Sequence, residues 1–173
     1  MDTIETIRNR RSVRKFTDEN ISKTDLLTLK EALLRSPSSR GRNHWSFYFV
    51  QDKESLKKLS ESKADGSTFI KDAKLAVVVC GDENICDVWI EDCSIASTIL
   101  QLTAHSLGLG SCWIQIRNRN HSDKTSSEEF VKNLLNIKEN VRVLSIIAIG
   151  YPAQKTIPLD YSKLEFDKIK DIC

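Results

Sequence analysis

The stretch LAVVVCG, residues 75 to 81, has no polar side chain on either of its alternating rows. Successive side chains of a strand point to opposite faces, so a run with both rows apolar must be covered on both faces. The segments around it can supply that cover. A short helix opens the chain, with Asp2 as cap, Glu5 reaching back to it, and Ile4 and Ile7 on one face. A second helix starts at Ser22, carries Leu26, Leu29, Leu33 and Leu34 on one face, and ends near Arg35 because Pro37 disfavours helix just before it. HWSFYFVQD reads as a strand of aromatic and branched residues, and DKESLKKLSES (52–62) as a short polar helix.

The longest helix is expected from about Asp87 to Leu107. Ile95, Ile99 and Leu102 form one apolar row, and Ala96, Leu100, Ala104 and Leu107 another, a width that suggests burial against two layers. SCWIQI and VLSIIAI (143–149) are further strands. Between them Thr125 and Glu128 suit a capping box for a helix bearing Val131, Leu134 and Leu135. The pattern predicts one mixed α and β domain of about four core strands with helices around them. The uncharged stretch Ser94–Ile116 is long enough to span a bilayer, but Gly108-Leu-Gly110 and several polar residues interrupt it, so it reads as a buried helix followed by a buried strand. MDTIETIRNR has no apolar core of a signal peptide. The five cysteines (80, 86, 93, 112, 173) are expected to be reduced thiols of a cytoplasmic protein.

Common chemical motifs are missing. GLGSCW begins like a dinucleotide fingerprint, but Trp113 replaces the third glycine and the segment follows a helix rather than a strand. There is no phosphate-binding G-x-x-x-x-G-K-[ST] and no G-x-S-x-G nucleophile elbow. Cys80, Cys86 and Cys93 lack close C-x-x-C pairing, and the three histidines are far apart in sequence, so no metal site is expected. His105 on the long helix reads as a core or interface histidine.

What stands out is RNRRSVRKF, with Arg8, Arg10, Arg11, Arg14 and Lys15 in nine residues of a chain whose net charge is only +2. One reading is a solvated helix end, where cations suit the dipole. A second is nucleic-acid binding, although Lys and Arg (26) nearly balance Asp and Glu (24) overall. A third is capture of a small anion, because guanidinium groups match phosphate geometry and Ser12 adds a hydroxyl. Three other segments have the makings of a polar ligand site. SPSSRGRNHW (36–45) is a loop rich in turn formers, GLGSCWIQI turns into a strand, and AIGYPAQK ends a strand and soon reaches Lys155.

Taken together and in this order, R-R-S-V-R-K-F, S-P-S-S-R-G-R-N-H-W, L-G-L-G-S-C-W-I and I-A-I-G-Y-P resemble the FMN-dependent nitroreductase family, in one of its short forms, over nearly the whole chain. The resemblance implies a three-layer α+β fold with a mixed, mainly antiparallel sheet. It also implies an intertwined homodimer with two FMN sites at the interface, and a chain end from about residue 153 wrapping onto the partner. Arg10, Arg11, Ser12 and Arg14 would hold the FMN phosphate, ribityl chain and pyrimidine edge, with Arg14 tuning the reduced ring. Pro37, Ser38 and Ser39, with Asn43, would come from the other subunit. Ser111 and then Cys112, Trp113, Ile114 and Gln115 would lie beside the ring, a backbone N–H near Gln115 facing flavin N5, and Lys155 would be a further phosphate cation. Hydride would pass from NADH or NADPH through N5 to a nitro compound, quinone or other electrophile, so neither a metal nor a catalytic triad is required. The same residues would also serve a non-catalytic flavin-binding sensor. A thiol-redox protein would call for C-x-x-C, which is lacking. A nucleic-acid binder would show strongly salt-dependent affinity.

Overall fold

The computed structural model describes residues 2–172; Met1 and Cys173 lie outside them. Four strands, β1 (Trp45–Val50), β2 (Leu75–Asp82), β3 (Gly110–Gln115) and β4 (Val141–Gly150), form a sheet in the order β1-β2-β4-β3, every neighbouring pair antiparallel. The parallel component of the expected mixed sheet is confined to one backbone pairing of Ser12 with Ser111.

The double-sided burial of β2 is as its composition demands. Leu75, Val77 and Val79 point into one core with Leu29 and Leu33 of α2 (Lys23–Leu34) and Cys93, Ala96, Leu100 and Ala104 of α4 (Trp89–Ser106). Ala76, Val78 and Cys80 point into a second core with Leu56 and Leu59 of α3 (Lys53–Leu59) and Val131 of α5 (Ser127–Leu135). Each fully buried Val or Leu contributes about 1.5–3 kcal/mol, so both helical layers are tied to this strand. The β2–β4 register shifts between Val79 and Cys80, with Leu144 as the extra residue, and the Leu144 carbonyl accepts both the Ile116 and Arg117 N–H groups at 3.1 Å, which ends β3.

Local details differ from the sequence expectations where a competing partner exists. α1 (Thr3–Asn9) starts at Asp2, but the Asp2 side chain makes no capping bond. Ile4 and Ile7 do not enter the core and are about half exposed; Thr6 is the buried residue of this helix. The α5 cap is Ser126, accepting from the Glu129 N–H at 3.0 Å, not Thr125. Glu128 is drawn away by a bidentate pair with Arg142 (2.8 and 2.9 Å) and by the Val143 N–H (2.9 Å). The α2 cap, Ser22, falls as expected; α3 is capped by Asp52 and ends at Leu59 rather than running over 52–62, and Leu34 is exposed.

One of the two α4 rows lies in the core. The other is only partly covered by this chain, with Ile95 exposed and Ile99 and Leu102 half-buried. After β4 the tail forms only two short single-turn helices, Tyr161–Lys163 and Phe166–Lys168, and exposes Ile157, Leu159, Tyr161, Phe166 and Ile169. None of the helices among the described residues is long and apolar enough to cross a membrane.

Candidate functional site

The arginine segment runs as an extended chain along the open edge of the sheet. The Val13 N–H donates to the Ser111 carbonyl (2.9 Å), the Thr17 N–H to Tyr151, and the Ala153 N–H to Lys15 (both 2.9 Å). Gly110 permits this closeness, since its Cα hydrogen faces Val13 where a Cβ would lie 2.8 Å from three Val13 carbons. Ser12 is thereby paired with Ser111, the start of the strand that continues through Cys112, Trp113, Ile114 and Gln115; Arg10, Ser12 and Arg14 lie near Cys112, and the Phe16–Pro152 pairing brings the chain toward Lys155. Among the described residues, none of Arg8, Arg10, Arg11, Arg14, Lys15 or Lys155 has an acidic partner within ion-pair distance. Arg14 lies over the Phe69 ring at 5.9 Å, and the charge of Arg10 reaches His105 near the end of α4. Burial, with that charge second, pulls His105 below its ordinary pKa. Its Nε2 is buried without a partner, so it is not a satisfied core histidine within this chain.

Because Ser111 gives its carbonyl to Val13, it turns its backbone groups away from β4. Backbone groups alternate along a strand, so Trp113 and Gln115 present theirs to the same open side. Their side chains are already engaged with each other. Trp113 Nε1 donates to Gln115 Oε1 (3.0 Å), and Gln115 Nε2 donates to the Arg117 carbonyl (2.9 Å). What this edge can give a ligand is therefore backbone N–H and C=O. Cys112 offers no thiolate, because burial raises its pKa and Arg14, Ser12 and Arg10 only partly offset that. Burial likewise raises Cys80 and pushes Cys93 up to about 12. Cys80, Cys86, Cys93 and Cys112 are unpaired.

The other predicted residues are elsewhere. Pro37, Ser38, Ser39 and Asn43 form a tight loop at the opposite end of α4. Ser38 Oγ donates to Asn43 Oδ1 (2.9 Å) and accepts from the Asn43 N–H (3.1 Å), which leaves Nδ2 as the free end of that amide. Arg40 (φ +53°), Gly41 (φ +64°) and Asn43 (φ +47°) are left-handed, a conformation costing a residue such as Arg on the order of 1–2 kcal/mol. The Ser39 N–H donates to Asp92 Oδ2 (2.9 Å) in the first turn of α4. From Asp92 to His105 the helix rises about 20 Å at 1.5 Å per residue. Within one chain the loop and Arg10 thus lie toward opposite ends of α4.

Sequence reasoning missed the group under this loop. Asp92 Oδ2 also lies 3.0 Å from His44 Nε2 and 3.7 Å from Cys86 Sγ, all three residues buried. The three are 6 to 48 positions apart in pairs, so no local motif announces them. The available signal was a charge at 92 continuing the buried 96–100–104 row. The cluster has metal-ligand chemistry, yet its shared oxygen already takes three donors. A cavity of about 690 Å³ lies at Glu83, Glu128 and Arg142, where the guanidinium is already paired with both carboxylates. A second, of about 610 Å³, lies between α1 and the tail and is lined by Ile4, Ile7, Arg8, Arg10, Arg11, Leu159, Tyr161 and Leu164.

Comparison with known proteins gives a consistent picture. The model of the nitroreductase family matches residues 7–89 and 67–151. A provisionally named NADH dehydrogenase/NAD(P)H nitroreductase of Methanothermobacter thermautotrophicus is 37% identical over 157 residues, 89% of this chain and 79% of the relative. An FMN reductase [NAD(P)H] of Bacillus subtilis is 29% identical over 90% of this chain and 68% of its own length. Among solved structures, an FMN-dependent nitroreductase from Clostridium difficile superposes with a TM-score of 0.95 at 40% identity, covering 97% of this chain and 98% of the other.

Proposed function

This chain belongs to the nitroreductase family, and from that membership we propose an FMN-dependent enzyme that takes hydride from NADH or NADPH and passes electrons to a nitro compound, quinone or other electrophile. The observation that carries this is the run of cations with no acidic partner among the described residues, laid against an open strand edge. These residues fit FMN. Its phosphate answers the guanidinium charges, and its ring offers acceptors to the backbone N–H groups of Trp113 and Gln115. When bound, FMN supplies the hydride-accepting centre at N5, and the protein supplies position and charge. Arg10, Arg11, Ser12 and Lys155 bind the phosphate and ribityl chain. Arg14 sets a positive charge toward the pyrimidine edge. Cys112, Trp113, Ile114 and Gln115 orient the ring from the strand edge, and Cys112 stays a neutral thiol.

We also propose that residues 1–173 form one FMN-binding domain that works as a homodimer with two interface sites. The partly covered row Ile95, Ile99 and Leu102 lies between the loop end and the arginine end of α4. A two-fold pairing of α4 with its copy, run antiparallel, sets one protomer's loop beside its partner's arginines. Pro37, Ser38, Ser39 and Asn43 then cover the flavin held by the other chain. The tail from about residue 153 crosses to the partner, which accounts for its exposed apolar side chains. The four unpaired thiols suit the cytoplasm. To test this, flavin is released from freshly purified protein by heat and identified by chromatography, mass is read by light scattering, and NAD(P)H oxidation is measured under saturating acceptor. FMN at one per chain, a dimer and turnover are expected. FAD, no flavin after incubation with FMN, or a flavin-loaded monomer would overturn the assignment, and flavin without turnover would mark a sensor.

A further inference from the structure

We infer that Asp92, held by His44, is a positioning residue that fixes the 37–43 loop in the shape it needs at the partner's flavin; the inference rests on the FMN-enzyme assignment for its functional half. The loop is not self-sufficient. Three consecutive or near-consecutive left-handed residues, Arg40, Gly41 and Asn43, must be held by contacts outside the turn. Among the described residues, Arg42, which also lies 3.8 Å from Asp87, and Ser39 supply such tethers. Arg42 Nη1 donates to the Ile85 carbonyl (2.9 Å) on an exposed surface, whereas the Ser39 N–H donates to a carboxylate in a buried pocket.

The pocket is arranged around that oxygen. His44 has no side-chain exposure and Asp92 only 7%. A carboxylate accepts hydrogen bonds, so Nε2 of His44 donates to Asp92, and Nδ1 is buried without a partner. His44 directly precedes β1 and Asp92 lies in the first turn of α4, so two rigid elements aim the carboxylate, and Ser39 is the part of the arrangement that belongs to the loop. A hydrogen bond to a buried charge is stronger than a neutral one; Asp92 and His44 are shielded from water, and Ser39 is half-buried. Asp92 thus transmits the rigidity of the α4–sheet packing to Ser39. It does not touch the cofactor; it acts through Ser39.

Two substitutions separate this role from general stability. Asp92→Asn keeps the shape and removes the charge. Ser39→Pro deletes the donor together with the hydroxyl, and Ser38 is extended (φ −127°, ψ 152°) as a residue before proline must be; Ser39→Ala, which loses the hydroxyl but keeps the N–H, is its control and should retain FMN affinity. In the full-length, flavin-free protein, amide hydrogen exchange of residues 38–43 should speed up at least tenfold in Asp92→Asn while the sheet amides hold their protection. FMN affinity, titrated by flavin fluorescence, should fall at least tenfold in Asp92→Asn and in Ser39→Pro, and the double variant of these two should be no weaker than the weaker single. Unchanged loop exchange in Asp92→Asn, or FMN losses that multiply in the double variant, would overturn the inference. Should Asp92→Asn fail to fold, Ser39→Pro at an unchanged thermal midpoint must still lose FMN affinity, and wild-type affinity there overturns it equally. Faster loop exchange in a protein that never binds FMN would leave the tether standing and refute the flavin assignment.

Discussion

Replacing Gly110 with alanine should disturb the flavin site through one added carbon. The new Cβ would meet Val13 Cβ, Cγ1 and Cγ2 at 2.8 Å. Carbons in contact settle at about 3.5–4.0 Å, so Val13 must retreat about 1 Å. Its N–H bond to the Ser111 carbonyl, 2.9 Å long, then stretches beyond hydrogen-bond range. Overpacking costs about 1–3 kcal/mol, and the lost bond adds about 1 kcal/mol. At roughly 2–4 °C per kcal/mol for a chain of this size, the thermal midpoint should fall by about 4–16 °C. Val13 sits between Ser12 and Arg14, so both move with it. Loss of one charge-assisted contact to FMN, about 1.5–3 kcal/mol, is a tenfold or greater loss of affinity. Gly108→Ala is the control, since Gly108 has φ +78° and no atom within 4 Å of where the added methyl would sit. It should cost about 1 kcal/mol of stability through backbone strain and leave FMN affinity unchanged. Differential scanning calorimetry and FMN titration of the flavin-free protein read both quantities. Wild-type FMN affinity in Gly110→Ala, or an equal loss in Gly108→Ala, would refute the idea that the Val13–Gly110 contact registers the arginines on the strand edge.

Stopped-flow bleaching of the flavin by NAD(P)H should be slowed by Arg14→Ala and nearly unaffected by Cys112→Ser; the reverse order would point to thiol chemistry. Gln115→Ala should keep bleaching, since its ligand group is backbone, but leave Trp113 Nε1 unpaired at a stability cost of about 1–3 kcal/mol seen in denaturant melts. Ile99→Glu should yield monomers without flavin by light scattering, and a flavin-loaded dimer would show that α4 is not the interface. Arg142 and the Val143 N–H hold Glu128 below its ordinary pKa. A depressed carboxylate contributes stability that is present above its unfolded pKa and lost as pH falls through the folded one. Denaturant midpoints should therefore drop on the acid side, below about pH 4–5, and Glu128→Gln should flatten that slope.

Legibility in the sequence followed the range of the forces involved. The strands and α4 were readable because burial imposes a period on neighbouring residues. The α5 cap was misplaced by one position because Thr125-x-x-Glu128 and Ser126-x-x-Glu129 fit the same pattern, and Arg142, fourteen residues beyond Glu128, decided between them. Ile4, Ile7, Ile95 and Ile99 were marked apolar correctly, but a hydrophobic row does not say whether its cover is the same chain or another. The arginine segment and the 110–115 edge were found as motifs, and their adjacency came only with the Val13–Ser111 and Phe16–Pro152 pairings. The His44–Cys86–Asp92 pocket is a tertiary meeting with no local trace beyond a charge on a buried stripe.

The separation of loop and arginines along α4 has a genetic consequence. In the homodimer proposed above, each chain would supply two half-sites to different flavins. Consider a cell expressing one allele with Arg14→Ala and a second with Asp92→Asn. Either homodimer carries two damaged sites. In a mixed dimer both lesions fall in one site, and the other draws its arginine from one parent and its loop from the second, and is whole. Random pairing would leave about a quarter of all sites intact, a complementation between two defective alleles that follows from the two-fold geometry alone.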